Sequence, residues 1–86
     1  MDFETGSVVK STAGRDKGKL LVVKENGHDC IIVCDGKERP LERPKKKNPR
    51  HLEQTGFSLT PGQTATNRAL RKALSGLQQQ VCNGKP

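Results

Sequence analysis

Turn-forming residues recur at short intervals through the first 54 residues, and that punctuation cuts the chain into strand-length pieces. "GSVVKS", "LLVVKENG" and "CIIVCDG" read as strands, with "AGRDKGK" and "HD" as the turns between them. "ERPLERP" is broken by Pro40 and Pro44, which demotes it to an edge strand or an extended loop. Residues 20–23 and 31–33 are continuous apolar runs rich in Val and Ile, so these strands are expected to be covered on both faces. A flat sheet would leave Ile31, Ile32 and Val33 half exposed. Residues 1–54 therefore predict a small, strongly bent all-β barrel.

The pattern changes after "QTGFSLTPGQT", a stretch rich in Gly, Pro, Ser and Thr that marks residues 55–65 as a linker. Leu70, Ala73, Leu74, Leu77 and Val81 then fall on one stripe of a helix over residues 66–82, leaving 83–86 as a tail. Thr66 is placed to cap its N-terminus, and Gly84 lies beyond its end. Gly76 weakens the middle by about 1 kcal/mol relative to Ala. The stripe is narrow, so the helix is expected to be weakly attached to the barrel and tightened by a partner.

An 86-residue chain with 30% hydrophobic residues, no Trp or Tyr, and only Phe3 and Phe57 as aromatics buries a limited core. Its net charge of +7 points to a polyanionic partner. That charge is unevenly divided. Residues 1–54 hold 12 Lys/Arg against 9 acids, whereas residues 55–86 hold Arg68, Arg71, Lys72 and Lys85 with no acid.

The first cationic cluster is the turn itself. Gly14 and Gly18 let the backbone reverse tightly and expose N–H groups, and Lys10, Arg15, Lys17 and Lys19 surround the single acid Asp16. A turn that needed only geometry would not gather four cations, whose mutual repulsion an anion relieves; phosphate oxygens accept from amides and cationic side chains alike. The second cluster is "RPLERPKKKNPRH", in which Arg39, Arg43, Lys45, Lys46, Lys47 and Arg50 oppose only Glu42. Prolines 40, 44 and 49 hold it extended, as a strip able to follow a nucleic-acid groove. Solvated tails and localisation signals share this composition.

Together, "VVKSTAGRDKGKLLVV", the pair Asp35-Gly36 and "RPLERPKKKNPRHL" resemble the KOW-motif proteins. More narrowly they are similar to the archaeal and eukaryotic large-subunit ribosomal proteins of family fourteen-e. The resemblance covers roughly residues 5–54. It implies an SH3-like barrel whose KOW turn, here Lys10, Gly14, Arg15, Asp16, Lys17, Gly18 and Lys19, contacts ribosomal RNA. It also implies a second contact strip at Lys45, Lys46, Lys47 and Asn48, with His51 and Leu52 returning to the barrel.

Other chemistries find little support. Cys30, Cys34 and His28 share strand parity, with His51 and Cys82 as further donors, but their spacing is not that of a zinc site. Buried thiols filling apolar space are the simpler reading. No nucleophile–base arrangement, phosphate-binding glycine loop or paired carboxylate argues for an enzyme, a cofactor or a small-molecule substrate, and Asp35 before Gly36 reads as turn chemistry. With so few aromatics neither a methyl-lysine cage nor a base-stacking platform is expected, so contact falls on the backbone and shape of structured RNA. Three scattered cysteines, no membrane-length apolar run and no signal pattern in "MDFETGSV" predict a cytoplasmic protein, bound to RNA or to the ribosome. Two alternatives stay open: nonspecific DNA binding through the same cations, and a protein-interaction module of the transcription or translation machinery that docks a partner through Leu70, Leu74 and Leu77.

Overall fold

The computed structural model describes residues 3–15, 17–27 and 29–83, with side chains described through residue 78. Asp16, His28, Gly84 and Lys85, and the side chains of Val81 and Cys82, lie outside the described residues. Five strands form one antiparallel sheet: β1 Ser7–Ser11, β2 Leu20–Asn26, β3 Ile31–Cys34, β4 Lys45–Lys47 and β5 Leu52–Ser58. Their order is β4-β3-β2-β1-β5, and the sheet is not closed. A helix, α1 Asn67–Asn83, follows.

Cross-strand partners share a face, so the register sorts the apolar residues into two sets. Val9 opposite Leu21 and Val23 opposite Val33 join Phe3, Ile31 and Leu52 in an inner core. Val8 opposite Val22, and Val22 opposite Cys34, join Leu20 in an outer core. Leu52 on β5 and Ile31 on β3 belong to strands three positions apart, which in a flat sheet stand about 14 Å from each other. Their shared cluster requires the sheet to curl. Register shifts between Ser7 and Val9 on β1 and between Val23 and Glu25 on β2 are bulges of the kind that produce such bending.

The outer core explains the doubly apolar strands. Leu70 and Leu74 of α1 cover it, with Leu41, Leu59 and Leu77 packed around them. Leu70 is 0% exposed and Leu74 is buried beside it, so the helix is seated on the sheet of its own chain. The same burial removes Leu70 and Leu74 from the surface offered to a partner. Thr66 caps the helix as expected: its Oγ1 accepts from the Ala69 N–H at 3.1 Å and its carbonyl from the Leu70 N–H at 2.9 Å.

Three boundaries differ from the sequence reading. Residues 55–58, expected in a linker, continue β5, because Thr55 Oγ1 donates to the Val8 carbonyl at the β1 bulge (2.8 Å) and Gly56 takes a φ of +87° that keeps the strand paired beyond it. "ERPLERP" is not a strand. It bends and turns, with the Arg43 N–H donating to the Pro40 carbonyl, and the fourth strand is the lysine run that follows. The helix begins at Asn67, one residue after its cap, and runs to Asn83.

Candidate nucleic-acid interface

The turn between β1 and β2 has the backbone that its glycines imply, with φ of +81° at Gly14 and +89° at Gly18. The Gly18 N–H donates to the Ser11 carbonyl at 2.8 Å, the Lys17 N–H to the Gly14 carbonyl at 3.2 Å, and the Ser11 N–H to the Lys19 carbonyl at 2.9 Å. These amides hold the turn together, so Lys17 and Gly18 do not offer theirs to a phosphate. The side chains do the presenting: Arg15 and Lys17 are exposed at its tip. Lys10 is half-buried on β1, opposite Leu20 and Glu53.

The lysine strip divides by strand alternation. Lys47 stands opposite Ile31 and Lys45 opposite Val33, so both share the inner face, while Lys46 opposite Ile32 points outward and is exposed. Lys47 is 7% exposed, and its Nζ donates to the Ala13 carbonyl at 3.1 Å, an oxygen that also accepts from Ser11 Oγ at 3.0 Å. Its ammonium thus ties β4 to the turn where no ladder joins them. Lys47 is therefore a staple of the fold and not a phosphate contact, and Lys45 is half-buried. Asn48 likewise serves the fold, since its Oδ1 accepts from the Arg50 N–H at 2.9 Å and caps the short 3-10 turn Pro49–His51. Arg43 and Arg50 are exposed, and Arg39 is half-buried with its Nε enclosed.

Lys47 on Ala13, together with the Thr12 N–H donating to the His51 carbonyl at 2.9 Å, stitches the turn to the strip. Arg15 and Lys17 on the turn, Lys46 on β4 and Arg50 on the 3-10 turn are exposed cations on the elements so joined, with Lys46 on the face of β4 opposite Lys47. Lys19 belongs elsewhere. It forms an ion pair with Glu38 (2.8 Å) on the loop after β3, and both line a cleft beside α1.

Two polar side chains that the sequence reading passed over fix these parts. Gln78 brackets the exit of the turn: its Nε2 donates to the Gly18 carbonyl and its Oε1 accepts from the Leu20 N–H, both at 3.2 Å. Its position four residues after Leu74 continues the docked face, which was the available signal. Asn67 joins the helix start to the β3–β4 loop, accepting from the Leu41 N–H at 2.7 Å and donating to Glu42 Oε1 at 2.6 Å. The second bond holds the Glu42 carboxyl below its ordinary pKa. Asp35 accepts from the Lys37 and Arg39 N–H groups, both at 2.8 Å, the turn role its Gly36 neighbour suggested. Cys34 is buried in the outer core, where desolvation pushes its thiol up to about 11, so it is a protonated apolar filler at neutral pH.

Among the described residues no helix is long and apolar enough to cross a membrane. No protein-family model matches the chain, and a search of curated proteins gives no match.

Proposed function

We propose that this chain is a cytoplasmic RNA-binding protein built on an SH3-like barrel of the KOW kind, holding structured RNA through its phosphate backbone, with ribosomal RNA or the ribosome as the first target to examine. The observation that supports this reading is the stitching of the turn to the lysine strip, two joined elements on which Arg15, Lys17, Lys46 and Arg50 are exposed. Cations carried on ordered elements avoid the cost of ordering the backbone when they meet a polyanion, and lose only side-chain freedom. Only Phe57 is an exposed large hydrophobic side chain among the described residues, which favours backbone and shape over base stacking. The rival reading, partner binding through Leu70, Leu74 and Leu77, is disfavoured because Leu70 and Leu74 are buried within this chain and Leu77 is partly buried against the same core.

Binding to a structured RNA is expected to weaken with salt, with a slope of log affinity against log salt of roughly −2 to −4. Replacing Arg15 and Lys17 with Ala, or Lys46 and Arg50 with Ala, should each weaken binding and make the slope shallower. These exposed changes should alter stability by under about 0.5 kcal/mol. Lys47→Ala should instead lower stability, since it removes the tie between β4 and the turn. A salt-independent affinity, or normal binding by both charge-deleted variants, would sink the backbone-contact mechanism.

A further inference from the structure

A cleft of about 940 Å³ lies between α1, the end of the β1–β2 turn and the β3–β4 loop. Arg68, Arg71 and Lys72 line it from the helix, Lys19 from the end of the β1–β2 turn and Lys37 from the β3–β4 loop. Two acids share the cleft, and both are engaged. Asp35 accepts from two backbone N–H groups, and Glu38 pairs with Lys19. The cleft is net cationic.

The helix charges oppose helix stability. Arg68 precedes Arg71 by three residues and Lys72 by four, spacings at which like charges on a helix repel. Arg68 lies in the first turn of α1, where the macrodipole favours acids, and that turn contains none. Among the described residues, no side-chain hydrogen bond or ion pair engages Arg68, Arg71 or Lys72, and all three are exposed. An anion entering the cleft relieves both costs together.

The turn borders both cationic regions, since Gly14 lies against Lys47 while Lys19 reaches the cleft. Gln78 fixes α1 against the same turn, so the helix flank is held in register with it. We propose that the cleft receives a second phosphate strand of the same RNA. The turn is then a ridge between two cationic flanks, and the preferred ligand is a duplex or hairpin RNA. This rests on the RNA-binding reading above and adds to it the helix flank and the double-stranded form of the ligand.

The test compares the full chain with a variant carrying Arg68→Gln, Arg71→Gln and Lys72→Gln, using a hairpin RNA and an unstructured strand of equal length. With two of these cations on phosphates, the variant's log–log salt slope on the hairpin should be shallower by about 2. The wild-type advantage should then shrink about tenfold between roughly 50 and 200 mM salt. The unstructured strand should lose less. Should the variant fold poorly, lysine-modification footprinting of the unaltered chain gives the same answer, because hairpin RNA should protect Lys37 and Lys72. Wild-type affinity and slope in the helix variant, alongside a weakened Arg15→Ala/Lys17→Ala variant, would overturn the cleft while leaving RNA binding intact. Equal wild-type affinity for hairpin and unstructured strand, or unprotected Lys37 and Lys72, would overturn it too. A wild-type chain that binds neither RNA would remove both readings.

Discussion

Leu70→Ala is expected to lower unfolding stability by about 2–5 kcal/mol, the range for deleting a fully buried Leu side chain. Leu70 is completely enclosed among Val8, Val22, Cys34 and Leu74, and it is the point where α1 closes the outer core. Domains of this size have about 5–15 kcal/mol in total, so the loss would be a large share of the whole. Leu77→Ala should cost less, because Leu77 is only partly buried at the margin of the same cluster. Denaturant unfolding measures both. A cost below about 1 kcal/mol for Leu70→Ala would mean that the helix is frayed from the sheet in solution.

Gly36→Ala should lower the melting temperature more than Gly18→Ala, although the two glycines have similar backbones, at φ of +82° and +89°. At Gly18 an added Cβ meets nothing within 4 Å, so only conformational strain of about 1–2 kcal/mol is expected. At Gly36 the same atom would stand 2.5 Å from the Asn67 carbonyl oxygen and 3.1 Å from the Arg71 nitrogen. Both are helix backbone and cannot rotate aside. The β3–β4 loop or the helix must move, which adds an overpacking cost of about 1–3 kcal/mol. Thermal melts of the two variants decide the matter. Equal drops would show that the loop does not approach the helix this closely.

The legible parts of the fold were those set by local chemistry. Val8, Val9 and residues 20–23 read as strands because short apolar runs are bounded by turn residues; the continuous run at 20–23 implied cover on both faces, which the two clusters supply, whereas Ile32 of the 31–33 run stays half-buried. Thr66 was legible as a cap because a hydroxyl preceded an apolar helical period. Lys45–Lys47 was not legible as a strand, since three lysines carry no apolar alternation; pairing with Ile31, Ile32 and Val33 makes the strand. That non-local pairing also decides that Lys47 is buried and Lys46 exposed, a distinction hidden within three identical residues. Residues 55–58 were hidden for a similar reason. Their Thr, Gly and Ser content signals a loop, whereas hydrogen bonding to β1 makes an edge strand. Gln78 and Asn67 act on backbone atoms 58 and 26 residues away, which no local pattern encodes.

Ultraviolet crosslinking in cells would show whether the exposed cations of the turn and the strip meet RNA. The crosslinked peptides would be mapped and the attached nucleic acid sequenced. The expected result is RNA, enriched in structured segments, attached to peptides containing Arg15, Lys17, Lys46 and Arg50. Recovery of no RNA above background, or crosslinks confined to β5 and residues 59–66, would contradict it.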